Sequence, residues 1–453
     1  MKKLMLALCF VLLLCGCTNG ITRIGTDHIN WDQPLPGGVI FSDTGVDMDM
    51  SNITNVHNPS TNYDIYIWKT AFGFTVAQWD SGSFVCLPST DASSVFNSSS
   101  SALALLDGGS ILIMDDLTVN SPCNVSVSNL WVTIADGKTV TAGSAMSSVF
   151  VIDPVGNGAS ITFSGISGGK INCANKAKNG ILVTGHYLDN YSAWLQFVDN
   201  DIWFATEAAM SLNSSNLLLI DNLFTYQCGD GIDLEEGCVN VIIDNPLIFN
   251  SVHTGIYVCT TYPQPHLPCE GVIIKTPIII GGETALCSFG CFSLTVIGNM
   301  FDQQTHNAVI LDGYNNQVWI AAGGYISPIG CITVDDGACG IYINGNASFI
   351  SISEQRISDC GYYGIRTFVD NTGESITSIQ ISGCTFAANN RLNAGGGDIF
   401  TGNDNSDIII TNNILYTDAI TYAGSTNCTF IGNRYRGTMY NTPEIFEHNS
   451  IIP

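Results

Sequence analysis

The chain has 453 residues and carries 14 Lys and Arg against 39 Asp and Glu, a formal net charge of −25. No basic cluster able to hold phosphates accompanies this charge, which excludes nucleic acid as an expected partner. The same charge repels an anionic polysaccharide unless a cation bridges the two, so the composition favours a neutral glycan or an encounter assisted by Ca²⁺.

The N-terminus has the layout of a signal peptide. Two lysines precede an apolar run at 4–15, which is too short to span a bilayer comfortably. The tetrapeptide LCGC that ends at Cys17 resembles a bacterial lipobox, and the resemblance implies cleavage before Cys17 and lipid attachment to it. Plain secretion and an uncleaved anchor are the alternatives. We predict export, with a leader at 1–16 and membrane contact only through this N-terminal anchor.

Residues 17–85 show no repeat and are predicted to form a separate attachment region. Within them, "DMDMSNITNVHNPSTNYDIYIWK" resembles the Ile-x-Asn-Val-x-Asn-Pro-Thr-x-x-x-Asp-Ala signature of phage tail-fibre and related virion proteins. The matching residues are Ile53, Asn55, Val56, Asn58, Pro59 and Asp64, while Ser60 replaces the threonine. The resemblance implies a receptor-binding fibre or spike, usually a homotrimer; the alternative is a polar surface loop. Cell envelope, extracellular space and virion surface all stay open as locations.

A short helix is predicted where the repeats begin, in "TDASSVFNSSSSALALLDGGSILI". Asp91 suits an N-cap, and Gly108-Gly109 break the helix ahead of a strand at 110–114. We expect this helix to cover the open end of the core. The residues at helical spacing that would form its buried face are Val95, Ser99, Ala102 and Leu106.

Beyond residue 160 a short apolar strand, a polar turn and a Gly-Ile step recur. Segments such as "LLLIDNLF", "VIIDNPLI" and "IIITNNIL" return every 21 to 32 residues, which fits a turn of about 22 residues with loop insertions. The Gly-Ile steps fall out of phase with these segments, so each turn, or rung, holds two or three strands. Because the connections are too short for crossover helices, parallel stacking must come from coiling of the chain itself.

The sequence therefore predicts an all-β fold, a right-handed parallel β-helix over 86–440 with a short N-terminal capping helix and a tail at 441–453. The start of the coil, including "VSNLWVTIADGKTV", and the rungs that follow resemble the pectate-lyase-like superfamily over about residues 86–436. The resemblance implies a parallel β-helix that binds or degrades polysaccharide, and it is more specific for fold than for activity.

Period-2 alternation in the strands predicts which side chains face the core. It directs Ile232 and Leu234 inward and Asp233 outward. Asparagine tolerates left-handed backbone and can hydrogen-bond along a ladder, so we predict these roles at one corner of the coil. The asparagines assigned to that corner are Asn222, Asn245 and Asn299.

The stretches "CGDGIDLEEGC" at 228–238 and "VHTGIYV" at 252–258 contain the candidate catalytic residues. Aligning the two Gly-Ile steps puts Asp233 one rung from Tyr257, about 4.8 Å away, and places His253 over the turn that precedes Asp230. Asp230 and His253 can then approach one another. Paired carboxylates and a histidine are the usual general acids and bases. The candidates are Asp230, Asp233 and His253.

Gly-Asp followed 23 residues later by His-Thr-Gly also resembles part of the polygalacturonase pattern, which implies a glycoside hydrolase. The rest of that pattern is missing: Asp230 is followed by glycine and not by a second aspartate, and no Arg-x-Lys occurs in the rungs. The alternative is that these are solvated positions of a repeating scaffold, because Gly-Asp-Gly-Ile is ordinary turn chemistry.

Outward positions near the same strands form a mixed polar and aromatic column. Aromatic faces stack on sugar rings, and carboxylates accept hydrogen bonds from sugar hydroxyl groups, so we predict a glycan-binding groove. A subunit interface would use the same residue types. The predicted substrate-binding residues are Glu235, Tyr257, Tyr342, Arg366 and Phe400.

The cysteines offer two interpretations. Fourteen remain once Cys9, Cys15 and Cys17 are set aside, an even number compatible with disulfides, while buried thiols are the alternative. No histidine lies at zinc-finger spacing, so no metal site is predicted.

The first functional interpretation is an exported or virion surface protein that engages a glycan as an adhesin or spike. The second is a polysaccharide lyase or glycoside hydrolase, and the third is a structural envelope protein without a ligand. A pair of carboxylates in a groove would favour the enzyme, whereas an aromatic column without such a pair would favour binding.

Overall fold

The computed structural model describes residues 63–452, apart from 71–72, 155–158, 186–191, 260–267, 330–338, 370–372, 393–395, 403, 418–419, 423–424, 438–442 and 444, together with two strands before them. The chain divides into two units, Met1–Asn62 and Tyr63–Pro453. In the first, Gly38–Ser42 pairs antiparallel with Gly45–Asp49. The leader, Cys17 and most of the fibre-like motif lie outside the described residues.

The second unit coils through three sheets, with one strand in each sheet per rung. Sheet I contains Cys123–Val125, Met146–Ile152, Ala177–Val183, Ala208–Asn213, Asp230–Glu235, Thr254–Cys259, Thr284–Phe289, Val309–Asp312, Ile341–Ile343, Ile365–Thr367, Ile399–Thr401 and Ile420–Tyr422. Sheet II contains Ile65–Lys69, Thr75–Trp79, Gly109–Ile113, Leu130–Ile134, Ile161–Thr162, Gly165–Ser167, Ser192–Val198, Ser215–Asp221, Val239–Asp244, Glu270–Lys275, Phe292–Ile297, Asn316–Ala321, Ser348–Ser353, Ile376–Ser382, Asn405–Thr411, Thr426–Ile431 and Ile445–Glu447. Sheet III contains Leu117–Val119, Thr139–Ala142, Lys170–Asn172, Asp201–Trp203, Phe224–Tyr226, Leu247–Phe249, Ile278–Ile280, Met300–Asp302, Tyr325–Ser327, Arg356–Ser358, Thr385–Ala387, Ile414–Leu415, Arg434–Tyr435 and Ser450–Ile451.

The predicted right-handed parallel β-helix is confirmed, with three strands per rung. The core is a continuous stack of inward side chains. Ile232 pairs with Ile256 in the next rung, and both are fully buried. Leu234 pairs with Val258, also fully buried, so the predicted in-out register of this strand is correct. Stacked aliphatic side chains remove apolar surface from water at every rung, which stabilises the coil along its whole length.

The predicted capping helix spans Ala92–Ala104. The Asp91 side chain accepts a hydrogen bond from the Ser93 N–H at 3.2 Å, which satisfies one of the free amide groups at the helix start. The helix buries Val95 and Ser99 as predicted, but it ends before Leu106, which is 63% exposed. The prediction for Leu106 was therefore wrong, because the helix ends two residues earlier than its apolar spacing indicated.

A β-hairpin that precedes the helix belongs to the coil. Ile65–Lys69 runs parallel to Gly109–Ile113 and antiparallel to Thr75–Trp79. Asp64, the aspartate of the fibre-like motif, accepts hydrogen bonds from the N–H and the hydroxyl of Ser110, at 2.7 and 2.9 Å. Sheet II therefore begins within the region at 17–85 that the sequence assigned to attachment.

The other end of the coil also extends past the predicted boundary. Ser450–Ile451 pairs in parallel with Arg434–Tyr435 in sheet III. Ile445–Glu447 pairs in the same way with the last long strand of sheet II. The segment predicted as a tail at 441–453 thus adds strands to two of the three sheets.

The corner asparagines were assigned correctly at two of three positions. Asn222 and Asn245 have φ of 52° and 50°, and Asn245 Nδ2 donates to Asn222 Oδ1 at 3.4 Å. Asn299 is different: Gly298 holds the left-handed position with φ of 66°, and Asn299 is 3% exposed. The alignment was one residue out in that rung, because glycine occupies the left-handed position as readily as asparagine does.

The recurring Gly-Ile step has a steric cause. A Cβ on Gly231 would lie 2.3 Å from the Gly255 carbonyl oxygen and 2.8 Å from Ile248 Cδ1. A Cβ on Gly255 would lie 2.7 Å from the Ala285 carbonyl oxygen. Only a residue without a side chain allows sheet I to approach the next rung so closely at this point.

All thirteen cysteines that the structure describes are free thiols, as in the buried-thiol alternative. Cys238, Cys269 and Cys291 stand at equivalent positions of three successive rungs, just before the paired residues of sheet II, and are completely buried. Burial raises the pKa of the Cys291 thiol far above its usual range, so this residue acts as a small apolar side chain in the core.

Candidate functional site

The candidate site is the outward face of sheet I, where one side chain from each rung stands above the next. The strand register defines this site column, in which neighbouring members are about 4.8 Å apart. Its members are Asn124, Val151, Leu182, Ser211, Asp233, Tyr257, Cys287, Ile310, Tyr342, Arg366 and Phe400. The column contains five of the eight residues predicted from the sequence as catalytic or substrate-binding, and it divides into two ends.

The acidic end comprises Asp230, Asp233 and Glu235 of a single strand. Asp233 and Glu235 point to the same side, since they are two residues apart. Asp233 Oδ1 is buried and has no hydrogen-bond partner among the described residues. Burial, followed by the charges of Glu235 and Asp230, raises the pKa of Asp233 to about 8. Asp233 is thus only half exposed and holds a proton at neutral pH, unlike the solvated position that the sequence alternative described.

Asp230 lies beside the following rung rather than pointing freely outward. Its Oδ1 accepts a hydrogen bond from the Thr254 N–H at 2.7 Å. Burial raises the pKa of Asp230, and the Thr254 N–H and the charge of His253 oppose that rise. The structure places His253 one rung from Gly229, next to Asp230 in the chain, because the His253 N–H donates to the Gly229 carbonyl at 2.9 Å.

His253 has a second acidic neighbour that the sequence did not reveal. Its Nδ1 lies 3.6 Å from Glu283 Oε2, and the two side chains are 61% and 49% exposed. Glu283 stands directly over His253, since its N–H donates to the His253 carbonyl at 2.9 Å. The rung of Glu283 replaces Gly-Ile with Ala-Leu, so the repeat marker that would have aligned the two residues was missing.

Tyr257 connects the acidic end to the middle of the column. It pairs with Asp233 in register and is half-buried. Burial, together with a hydrogen bond to Cys259, raises the pKa of the Tyr257 phenol, so it stays a neutral hydroxyl group at any pH near neutrality. A protonated carboxyl and a phenol therefore stand next to each other on the sheet surface.

The upper end of the column is an aromatic cage around Arg366. The guanidinium carbon lies 4.8 Å from the ring centroid of Phe368, 5.5 Å from Tyr342, 5.9 Å from Phe400 and 6.0 Å from Tyr362. Tyr342 is only 7% exposed although it faces outward. A cation over several aromatic faces is stabilised by their negative π surfaces. The cage thus brings Tyr342, Arg366 and Phe400 together and adds the rings of Tyr362 and Phe368 to them.

The sequence missed Tyr362 and Phe368 because neither lies at an outward position of a strand. Tyr362 precedes the strand Ile365–Thr367 and Phe368 follows it. Strand alternation says nothing about such turn residues. The available signal was local: "GYYGIRTF" contains three aromatic residues within eight.

The two ends are too far apart to act on one bond. Asp233 and Arg366 are separated by five rungs, or about 24 Å. The members between Tyr257 and the cage, Cys287 and Ile310, are not charged in their usual state. Arg366 therefore does not complete a catalytic group with Asp233, whereas an extended chain molecule could touch both.

The described residues contain no cluster of three or more His, Cys, Asp or Glu side chains able to hold a metal ion. Among the described helices, none is long and apolar enough to cross a membrane.

Comparison with known proteins identifies the fold. No family model and no curated protein matches the chain. Among solved structures, the A-module of the mannuronan C-5 epimerase AlgE6 from Azotobacter vinelandii is 12% identical, with 80% of this chain and 96% of that one covered and a TM-score of 0.52. The tailspike protein 3 of bacteriophage CBA120 is 13% identical over 92% and 70%, with a TM-score of 0.46. PfbA, a surface adhesin of Streptococcus pneumoniae, is 11% identical over 79% and 90%, with a TM-score of 0.48. The likeness to the AlgE6 A-module agrees with the predicted parallel β-helix.

Proposed function

We propose that this chain is an exported surface protein that binds a glycan along the outward face of sheet I. The observation that carries the proposal is the site column, which places hydroxyl, carboxyl and aromatic groups on one flat face at a regular spacing. A polysaccharide repeats along its own axis, so successive sugars can meet successive rungs. Export through the leader, a lipid anchor at Cys17 or a virion location, and a trimeric assembly belong to the same proposal.

Each end of the column supports a different part of glycan recognition. Aromatic rings in the cage offer apolar faces for the C–H faces of sugars, and the guanidinium of Arg366 offers hydrogen-bond donors. At the acidic end, the protonated carboxyl of Asp233 and the phenol of Tyr257 can donate as well as accept. Sugar hydroxyl groups do both, so the chemistry of the column matches theirs.

The test is a glycan array probed with the secreted chain, followed by titration of the glycans that bind. We expect Tyr257→Ala and Phe400→Ala each to weaken binding by about 1–3 kcal/mol, the scale of one stacked aromatic contact. Tyr325→Ala, on the outer face of sheet III, is the matched control and should leave affinity unchanged. Binding that is lost with Tyr325→Ala and kept with Tyr257→Ala would place the glycan on another face and end the proposal.

A second function, cleavage of the bound glycan, is favoured by one specific observation. A general acid has to be protonated at its working pH, and Asp233 is a carboxyl held protonated near neutrality by burial and by Glu235. Asp230 is the nearby carboxyl that would complete a catalytic pair, and His253 and Glu283 lie at its edge.

Product release separates the two functions. If the chain only binds, reducing-end and ultraviolet assays on neutral and uronic polysaccharides detect no shortening by the wild type. If it cleaves, products appear, and Asp233→Asn or Asp230→Asn suppresses them about a hundredfold or more while binding persists. Turnover that survives both substitutions would exclude the acidic end as the catalytic site.

A further inference from the structure

A cleft at the N-terminal end of sheet II lies outside the proposed site. It opens over the hairpin of Ile65–Lys69 and Thr75–Trp79 and has a volume of about 500 Å³, within the usual range for small-ligand sites. Ile65 and Ile67 point into the core, so the alternating residues of the same strand face the cleft. The residues that line this hairpin cleft include Tyr66, Trp68, Gln78, Trp79, Asp80 and Met114.

Two large aromatic side chains remain partly exposed in the hairpin cleft. Tyr66 and Trp68 are half-buried, and Met114 beside them is 43% exposed. Trp79 contributes less, because it pairs with the inward Ile65 and packs against the core. Leaving an indole and a phenol in contact with water is unfavourable, and a cleft of this kind marks a place where a ligand covers them.

Polar groups stand around these rings. The Tyr66 hydroxyl lies 3.5 Å from Asp80 Oδ1, so the phenol and the carboxylate share one edge of the cleft. The Gln78 side-chain amide donates to the Gly82 carbonyl, which holds the carboxamide over the turn after Trp79. The oxygens of a carboxylate and a carboxamide next to flat aromatic faces can accept hydrogen bonds from the hydroxyl groups of a molecule stacked on the rings.

The charge of the lining selects among ligands. Asp80 is the single charged lining residue, and the whole chain has a net charge of −25, so an anionic ligand is repelled. Aromatic rings with a carboxylate also suit a quaternary ammonium group, which prefers an enclosed cage. Here Asp80 is exposed at the rim and the cleft is open, which suits a ring-shaped molecule lying flat with its hydroxyl groups towards the rim.

We propose that the hairpin cleft is a second carbohydrate-binding site, which takes an uncharged sugar stacked on Tyr66 and Trp68, with its hydroxyl groups donating hydrogen bonds to Asp80. This site is independent of the site column, since it lies on a different sheet at the first rung. A chain with both sites would hold a glycan at two points and gain avidity from their combination.

The test uses the full chain and an array of uncharged and anionic glycans, followed by calorimetric titration with the uncharged oligosaccharide that gives the highest signal. We expect Trp68→Ala to weaken that binding by about tenfold, the effect of losing one stacked ring. Asp80→Asn changes an exposed rim residue, does not disturb folding, and should weaken binding by a few fold. Trp319→Ala is the matched control: Trp319 is 47% exposed on the outer face of the same sheet, about 40 Å along the coil, and its loss should change nothing.

Three results would overturn the proposal. One is that no uncharged glycan on the array binds. Another is that Trp68→Ala and Asp80→Asn both bind with wild-type affinity while Tyr257→Ala and Phe400→Ala lose binding, which would leave the site column as the whole site. The third is that tetramethylammonium or phosphocholine binds in the cleft and uncharged sugars do not. Conversely, loss of binding in Trp68→Ala with Tyr257→Ala unaffected supports the cleft and contradicts the sheet I proposal.

Discussion

The two ends of the site column place an ionisable side chain at the same outward position of the repeat and stabilise it in opposite ways. At the acidic end, burial and neighbouring carboxylates disfavour the charge, and Asp233 responds by keeping its proton. At the upper end, Arg366 cannot release its proton, so four aromatic rings surround its charge instead. The position of a residue within its rung determines whether its side chain points inward or outward. The side chains around it, from the same and the neighbouring rungs, determine whether it carries a charge.

Both ends of the site column lie over the same stack of inward apolar side chains. The largest effect on stability should therefore come from placing a charge in that stack, below either end. Ile256→Asp below Tyr257 and Ile365→Asp below Arg366 each bury an unpaired carboxylate in the core. We expect each to lower the free energy of unfolding by more than about 4 kcal/mol, measured by urea denaturation. Ile409→Asp is the control, because that isoleucine is 44% exposed on sheet II and should tolerate the change. An equal loss at Ile409 would show that the assigned register is shifted by one residue.

A pH titration of stability should separate the two ends next. The pKa of Asp233 is raised from 3.8 to about 8 in the folded chain, so folding binds a proton that the unfolded chain releases. This contribution is fully present below pH 4 and is lost as the pH rises through about 8, by roughly a few kcal/mol. Asp233→Asn should remove that slope and be more stable than the wild type at pH 9.

The neighbour of Asp233 provides the control for this titration. Glu235→Gln removes one of the charges that raise the pKa of Asp233, but burial, the larger cause, remains. The slope should therefore shift to lower pH without disappearing. If Asp233→Asn leaves the pH dependence of the wild-type stability unchanged between pH 4 and 9, Asp233 is not a protonated carboxyl in the folded chain.

A smaller effect is expected at the cage. Arg366→Met keeps an apolar stem among the rings and removes the cation, which should cost about 1–2 kcal/mol, the range for a partly desolvated cation over aromatic faces. Arg356→Met on sheet III is the matched substitution, because Arg356 lies over one ring only, 5.7 Å from the Tyr325 centroid. Thermal and urea denaturation should show the larger loss for Arg366. Equal losses would mean that the additional rings do not stabilise the charge.

The smallest effect belongs to the ion pair beside the acidic end. Glu283→Gln removes the partner of His253, but both side chains are largely exposed, so the free energy of unfolding should change by less than about 1 kcal/mol. His253→Gln should change stability as little. If either substitution cost as much as Arg366→Met, the pair would be more strongly desolvated than its exposure indicates.

The sequence predicted what repeats and missed what depends on neighbours. Alternation assigned Ile232 inward and Asp233 outward, and the marker spacing gave the coil and its capping helix. It did not predict that an outward Asp233 would be half-buried, since that depends on Glu235 and on the rung above. It also missed a left-handed residue near the start of many sheet II strands. Ten successive rungs have it, at positions whose residue types share no pattern: Trp194, Leu217, Asn240, Gly271, Ser293, Gln317, Phe349, Ser378, Asp407 and Asn427.

The repeated Asp-Asn corner makes one rung removable as a unit. Asp221-Asn222 and Asp244-Asn245 are the same dipeptide, in the same backbone conformation, one rung apart. Excision of residues 222–244 would join Asp221 to Asn245 and leave every later strand facing an equivalent partner. The shortened chain would lack the whole acidic end and keep the cage and the hairpin cleft. A coil of this kind can gain or lose a function by the length of one turn, so its activities can evolve by duplication and deletion rather than by substitution.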